Sequence, residues 1–132
     1  TAAAAADGTA FVFMGHGTSH TAKISYSQMQ ITMQTLGYDN VFIGTVEGEP
    51  EDTACEAVIE KIKEAGYTKV VLRPLMVVAG DHAKNDMAGE KDSYVTRLRE
   101  AGFAVEPVIK GLGEYPQFRS LYVEKVKRML CI

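Results

Sequence analysis

The sequence predicts an α/β domain in which helices cover both faces of a four-stranded parallel sheet. Short apolar runs alternate along the chain with longer amphipathic segments, and glycine or proline marks many of the boundaries between them. Such alternation produces right-handed βαβ crossovers, which lay helices over both faces of a parallel sheet. The 132 residues, 46% of them apolar, suffice for one domain with its own core.

The first predicted strand and the first predicted helix lie between residues 10 and 36. Residues 10–14 form an apolar run of strand length. After this run, Thr18 or Ser19 is expected to cap a helix whose apolar positions include Ile24, Met29, Ile31, Met33 and Leu36. Gly37 suits the left-handed residue that commonly follows a helix.

The second pair consists of a strand over 41–46 and a helix over 51–65. Pro50 stands where a first-turn proline is favoured, and Gly66 is placed to end the helix. Spacings of three and four put one set of apolar residues on a single helix face: Ala54, Val58, Ile62 and Ala65.

The remaining residues predict two more strands and two more helices. The predicted elements are a strand over 69–78, an irregular or short helical stretch to Gly89, a helix capped by Asp92 or Ser93 that ends near Glu100, a strand over 103–108 and a helix over 116–130. Residues 1–9 are alanine-rich and are expected to form a linker or a ragged terminus. Residues 10–132 then form a single flavodoxin-like, three-layer α/β/α domain.

Composition excludes several classes of function. The net charge of -3 and the lack of any Lys/Arg-rich run argue against nucleic acid as a partner. Apolar runs are strand-sized, too short to span a membrane. Cys55 and Cys131 lack metal-site or disulfide-framework spacing, which fits two thiols in a reducing compartment. We therefore expect a cytoplasmic protein, or a periplasmic one if a signal peptide has been removed.

Three chemically capable side chains follow predicted strands: His16, Glu47 and His82. In a parallel sheet all carboxyl ends of the strands meet at one edge, which is where open α/β folds place their chemistry. Two imidazoles and a carboxylate suit Co, Fe, Ni or Zn with open coordination positions. Any one of these residues, like His20 nearby, is commonly just a hydrogen-bonded loop residue; the coincidence of three favours a metal site.

The glycines beside these histidines allow a second interpretation. Gly15, Gly17 and Gly80 permit close backbone approach or positive φ, and residues 15–19 precede a helix whose N-terminus can cradle a phosphate. The segment lacks a Walker lysine and the GxGxxG spacing, so no nucleotide cofactor is expected. A phosphate-binding or FMN-binding domain remains the least favoured alternative.

Four segments carry a resemblance to a known family: 12–17 (VFMGHG), 46–50 (VEGEP), 74–89 (PLMVVAGDHAKNDMAG) and 111–114 (GLGE). In order and spacing they resemble the C-terminal half of the anaerobic sirohydrochlorin cobaltochelatases, the CbiK-type class II tetrapyrrole chelatases. The resemblance implies one lobe of a two-lobed chelatase fold, with the tetrapyrrole in the cleft between the lobes. Family members have about twice this length, so the chain is expected to be either a fragment cut at the alanine-rich linker or a short form that takes its second lobe from another copy or another chain.

The resemblance also implies roles for individual residues. His16, Glu47 and His82 would bind the metal. Because a neutral imidazole can also take up a proton near pH 7, His16 and His82 are the expected catalytic residues, with His16 as the proton acceptor. The metal would be a substrate, Co²⁺ or alternatively Fe²⁺ or Ni²⁺, and the tetrapyrrole would be sirohydrochlorin or precorrin-2. Substrate-binding residues are expected to be Met14, Gly15, Gly80 and Asp81, although a strand residue such as Met14 more commonly belongs to the core. The alternative function is haem or metal binding and transport on the same fold.

Overall fold

The structure, a computed structural model, describes residues 2–132. Its strands and α-helices in chain order are α1 (Ala2–Ala6), β1 (Thr9–Gly15), α2 (Ile24–Thr35), β2 (Val41–Thr45), α3 (Cys55–Glu64), β3 (Lys69–Pro74), α4 (Tyr94–Glu100), β4 (Ala104–Pro107) and α5 (Pro116–Met129). Short 3₁₀ turns occupy Thr21–Lys23, Glu51–Thr53 and Leu112–Glu114, and a π-helix occupies His82–Met87.

The four strands form one parallel sheet in the order β2-β1-β3-β4. Met14 in β1 pairs with Gly44 in β2 and with Pro74 in β3, so these three strands end at nearly the same level. The predicted α/β class and the four-stranded parallel sheet are confirmed. This register brings the loops that follow β1, β2 and β3 to one edge of the sheet.

The main core lies on one face of the sheet, under α3 and α4. Alternate residues of the two central strands are fully or almost fully buried, as period-two strand geometry requires: Ala10, Val12, Met14, Val70 and Leu72. They pack with Val58 and Ile62 of α3 and with Leu98 of α4, all fully buried. Burial of each such side chain contributes about 1.5–3 kcal/mol.

The other face of the sheet is only partly covered by helix. Phe11 and Phe13 on this face are half-buried. Helix α2 lies against the edge strand β2, where the Gln30 amide donates to Val41 O (2.8 Å) and accepts from Ile43 N (2.8 Å). Because α2 packs at the edge, its predicted apolar positions Ile24, Ile31 and Leu36 stay largely exposed.

The last helix, α5, packs mainly against the 3₁₀ turn at Leu112–Glu114, and none of its side chains is buried. Its outward residues include several large apolar ones that are at least half exposed: Leu121, Tyr122, Val123, Val126 and Met129. The apolar surface of α5 is therefore left without cover from the described part of the chain.

Within residues 2–132 no helix combines the length and the apolar character needed to cross a bilayer.

Strand β3 ends at Pro74, four residues before the predicted end of the run at Val78. Beyond it, Met76 O accepts from Leu112 N (2.8 Å) and Val77 O accepts from Gly113 N (2.9 Å). The apolar segment is thus held by a neighbouring loop instead of the sheet, and Val77 and Val78 are exposed. An apolar run alone does not distinguish a buried strand from such a loop.

Two helix starts also differ from the prediction. Neither Thr18 nor Ser19 caps α2, which begins at Ile24 without a side-chain cap. His20 instead caps the preceding 3₁₀ turn Thr21–Lys23: its Nδ1 accepts from Ala22 N at 3.1 Å, while Thr18 Oγ1 accepts from His20 N. The predicted helix over 51–65 is interrupted at Ala54, which is extended, so that a 3₁₀ turn precedes α3. Ser93 caps α4 through Thr96 N, as predicted.

The N-terminal residues are partly ordered. Ala2–Ala6 form a single turn of helix, and β1 already begins at Thr9, where a linker was expected over residues 1–9. The Asp7 carboxylate pairs with Lys69 Nζ at 2.7 Å. Residue 1 lies outside the described residues.

The two cysteines are expected to differ strongly in reactivity. Burial raises the pKa of the Cys55 thiol to about 11, whereas Cys131 is exposed. Cys55 is therefore almost entirely protonated at pH 8. It should react slowly, because the thiolate is the reactive form of cysteine. We expect a chromogenic disulfide reagent at pH 8 to titrate one thiol rapidly in the native protein and two in urea. Rapid reaction of both thiols in the native protein, or of Cys55 in a Cys131→Ser variant, would contradict the burial of Cys55.

Candidate functional site

His16 and Glu47 are brought together because the β1–β2 ladder continues beyond the ends of the strands. Gly15 O accepts from Val46 N and His16 O accepts from Glu47 N, both at 2.9 Å. His16 Nδ1 consequently lies 3.7 Å from Glu47 Oε1, with about half of each side chain exposed. The predicted proximity of these two residues holds in the structure.

The turn that carries His16 is fixed by Tyr26 of α2. Gly17 N donates to the Tyr26 hydroxyl at 3.0 Å, and the Tyr26 ring lies against Gly15, where a Cβ atom would come within 2.4 Å of Cε1. Gly17 has φ +89°, a conformation that L side chains rarely adopt. Gly15 thus allows the close approach of Tyr26, and Gly17 allows the positive φ of the turn.

His82 reaches the same edge by a different route. It begins the π-helix His82–Met87, which follows the loop held by Leu112 and Gly113. Its ring meets that of His16 edge to face, with 4.4 Å between the centroids and 82° between the planes. The three predicted residues therefore form one cluster: His16 contacts both Glu47 and His82.

Hydrogen bonds orient both imidazoles. His16 Nδ1 lies 3.0 Å from Gly17 O, and His82 Nδ1 lies 2.6 Å from Asp86 Oδ2. A carbonyl and an ionised carboxylate can only accept, so each Nδ1 acts as the donor. In the neutral imidazole this leaves the Nε2 lone pair to bind a ligand.

The cluster is not closed around a common point. Within residues 2–132, no three His, Cys, Asp or Glu side chains are placed so that together they could hold a metal ion in their present conformations. Glu47 lies on the Nδ1 side of His16, away from the nitrogen that the Gly17 contact leaves available. About half of each of the three side chains is exposed, so side-chain rotation meets little packing resistance.

The remaining predicted site residues have different surroundings. Met14 is fully buried and offers no surface to a ligand. It belongs to the core, which is the more common role of a strand residue. Gly15 is buried, Gly80 is half-buried with open space where a Cβ would stand, and Asp81 is exposed. His20 caps the 3₁₀ turn Thr21–Lys23, where its Nδ1 accepts from Ala22 N.

A polar cleft of about 230 Å³ adjoins the cluster. Its charged lining consists of four carboxylates and one guanidinium: Glu47, Glu56, Asp86, Asp92 and Arg97. Arg97 pairs with Glu56 at 2.7 Å, so the cleft carries net negative charge, which attracts cations. An apolar cavity of about 400 Å³ lies instead on the partly covered sheet face, between Phe13, Met33 and Tyr115, away from the histidines.

Tyr94 supports the floor of this cleft and the end of β2. Its buried hydroxyl lies 2.6 Å from Thr45 O and 3.1 Å from Thr53 O, and its burial raises the pKa of the phenol. We expect Tyr94→Phe to lower the free energy of unfolding by about 1–3 kcal/mol, since both buried carbonyls lose this donor. Urea denaturation measures the change, with Tyr38→Phe at a more exposed ring as the control. Equal stability of the two variants would contradict this role.

Sequence reasoning missed two residues around the histidines. Asp86 follows His82 by four residues in a segment predicted as irregular or briefly helical, so an i,i+4 pairing was available as a signal. Tyr26 had no local signal, because its contact with Gly15 and Gly17 depends on how α2 returns along the sheet.

Residues 2–131 match the family model described as cobalt chelatase (CbiK). The chain is 40% identical over 120 residues to the sirohydrochlorin cobaltochelatase of Salmonella typhimurium, covering 90% of this chain and 44% of that protein. It is 34% identical over 116 residues to the sirohydrochlorin cobaltochelatase CbiKC of Nitratidesulfovibrio vulgaris, covering 87% and 40%.

Among solved structures, a putative cobalamin (vitamin B12) biosynthesis CbiX protein from Marinobacter aquaeolei VT8 has a similar fold. The TM-score is 0.73 at 19% identity, over 92% of this chain and 97% of that one. The chain thus spans less than half the length of the two curated relatives, yet matches nearly the whole of this shorter structural neighbour.

Proposed function

Since this chain belongs to the cobalt chelatase (CbiK) family, we propose that it is one lobe of an enzyme that inserts Co²⁺ into sirohydrochlorin. One observation carries the proposal: two imidazoles in ring contact beside a carboxylate at the carboxyl edge of the sheet. Imidazole and carboxylate ligands suit Co²⁺, and also Fe²⁺ and Ni²⁺, which are the alternative metal substrates. Precorrin-2 is the alternative tetrapyrrole.

His16, Glu47 and His82 are the proposed metal-binding residues. The Nε2 atoms of the two histidines supply nitrogen ligands, and rotation of the half-exposed Glu47 side chain supplies an oxygen. Three protein ligands leave coordination positions open, and a metal that must depart needs such an open site. The negative cleft beside Glu47 and Asp86 favours arrival of the cation at this edge.

Insertion requires the macrocycle to release two pyrrole N–H protons as Co²⁺ enters. We assign His16 as the principal acceptor: once Co²⁺ passes from its Nε2 to the pyrrole nitrogens, that lone pair takes up a proton. The second proton passes to His82 or to water. Glu47, 3.7 Å from His16, stabilises the imidazolium that forms.

The surface around the histidines suits a large, partly apolar ring. Val77 and Val78 are exposed on the loop that leads to His82, and Gly80 leaves open space on the same loop. Such exposed apolar side chains beside polar groups are typical of ligand-binding surfaces. We propose that this loop, with Gly80 and Asp81, borders the tetrapyrrole.

A second α/β lobe is the proposed partner, whether it belongs to the same polypeptide, to another copy of this chain or to another polypeptide. The chain spans less than half of its curated relatives, and it leaves the apolar side of α5 and one sheet face without full cover. A second lobe would cover apolar surface and supply the opposite wall of the substrate cleft.

The cytoplasm is the proposed compartment of the protein, because the two cysteines among the described residues are free thiols.

The proposal is tested by mixing the protein with Co²⁺ and sirohydrochlorin and following the absorbance, while light scattering gives the mass in solution. We expect metal insertion by an assembly that contains two lobes, at a rate well above that without protein. An assembled two-lobed species that binds haem stably but does not accelerate insertion would contradict the proposal and favour haem transport.

A further inference from the structure

We propose that Asp86 is a positioning residue for His82, holding the ring so that Nε2 faces the incoming metal; the assignment rests on the proposed function. Asp86 Oδ2 lies 2.6 Å from His82 Nδ1, the shortest of the contacts made by either histidine ring. The carboxylate therefore acts on the metal site through His82 and is not assigned as a metal ligand.

The π-helix gives this pair its geometry. His82 and Asp86 are four residues apart on the outer side of the segment, while Ala83 and Met87, also four apart, are fully buried in the core. The buried pair, Ala83 and Met87, anchors the segment in the core. This anchoring fixes the relative positions of His82 and Asp86 on the outer side. π-Helical turns are rare and are frequently found at functional sites.

Gly89 closes this turn tightly. Its backbone N–H donates to Asn85 O at 3.0 Å, and a Cβ atom at this position would stand 2.3 Å from the same oxygen. A side chain there would push the Asn85 carbonyl, next to Asp86, out of place. The segment therefore presents Asp86 from a defined backbone, although its side chain is partly exposed.

The chemistry of the contact explains why it matters for metal binding. An ionised carboxylate only accepts hydrogen bonds, so it fixes the hydrogen of His82 on Nδ1 and leaves Nε2 as a lone-pair donor. His16 receives the same orientation from a backbone carbonyl, which no side-chain substitution removes. Asp86 is thus the one of these two orienting groups that mutation can remove.

The test compares Asp86→Ala with the wild-type protein by two measurements. Long-range ¹H–¹⁵N correlation spectra of the metal-free protein, taken where His82 is neutral, report which ring nitrogen carries hydrogen. We expect Nδ1–H in the wild type and a shift towards Nε2–H in the variant. Titration with Co²⁺ alone should show a Kd raised by about 10–100-fold in Asp86→Ala.

Two further variants distinguish loss of the hydrogen bond to His82 from loss of a negative charge. Asp86→Asn retains an oxygen acceptor, so we expect partial rescue, whereas Glu90→Gln removes one exposed carboxylate from the following loop and should change neither measurement. Wild-type tautomer and Co²⁺ affinity in Asp86→Ala would overturn the proposal. If His82→Ala leaves Co²⁺ affinity unchanged, the ligand role of His82 fails, while the tautomer spectra still decide the role of Asp86.

Discussion

Replacement of either His16 or His82 by alanine is expected to slow cobalt insertion by about 100-fold or more in a two-lobed assembly. Each change removes a nitrogen ligand, and His16→Ala also removes the proposed proton acceptor, a contribution of about 10²–10⁴-fold. Because the two rings touch, with 4.4 Å between their centroids, we expect the double variant to be little slower than the worse single one.

The matched control is His20→Asn. It removes the third imidazole of the chain while keeping a good cap on the turn Thr21–Lys23, since asparagine is among the preferred capping residues. Initial rates followed by absorbance should be close to those of the wild type in this variant. Near wild-type rates in both His16→Ala and His82→Ala would refute the assignment of the site.

Replacement of Gly15 by alanine is expected to destabilise the folded protein. The new Cβ would lie 2.4 Å from Cε1 of Tyr26, whose hydroxyl is tied to Gly17 N at 3.0 Å. Overpacking of this kind costs about 1–3 kcal/mol of unfolding free energy. The displaced Tyr26 should also release the turn that carries His16, so insertion should slow as well.

Urea denaturation of a double-mutant cycle isolates this clash. We expect Gly15→Ala to cost clearly less in a Tyr26→Ala background, because the ring it collides with is absent. Gly80→Ala is the stability control, since a Cβ there meets no atom within 4 Å. Equal stability of Gly15→Ala and Gly80→Ala would show that the Tyr26 contact does not constrain this turn.

The elements that could be predicted from sequence are those with a local physical signal. Four apolar runs became four strands, Ser93 capped α4, and Gly37 and Gly66 adopt the positive φ that suits the residue after a helix. The meeting of His16 and Glu47 followed from parallel topology, because such a sheet has a single carboxyl edge. His82 also lies at this edge, as predicted, but it is carried there by the loop after Pro74, which bonds to Leu112 and Gly113. The resemblance to the cobaltochelatase family is also confirmed.

The elements that escaped prediction depend on contacts distant in sequence. The run after Pro74 has strand character, yet its carbonyls bond to Leu112 and Gly113, residues that only the fold brings near. The exposure of α2 and α5 was equally hidden, because their apolar residues give no sign of which surface will cover them. The orientation of the two imidazoles required the positions of Gly17 O and Asp86, which spacing alone does not fix.

X-ray absorption spectroscopy of the protein loaded with one equivalent of Co²⁺ identifies the ligands of the bound metal. We expect a first coordination shell that contains two imidazole nitrogens together with oxygen ligands. We also expect loss of one nitrogen in His82→Ala and no change in His20→Asn. A shell made only of oxygen atoms, or one that is identical in the wild type and in a His16→Ala/His82→Ala variant, would contradict the assignment of His16 and His82 as metal ligands.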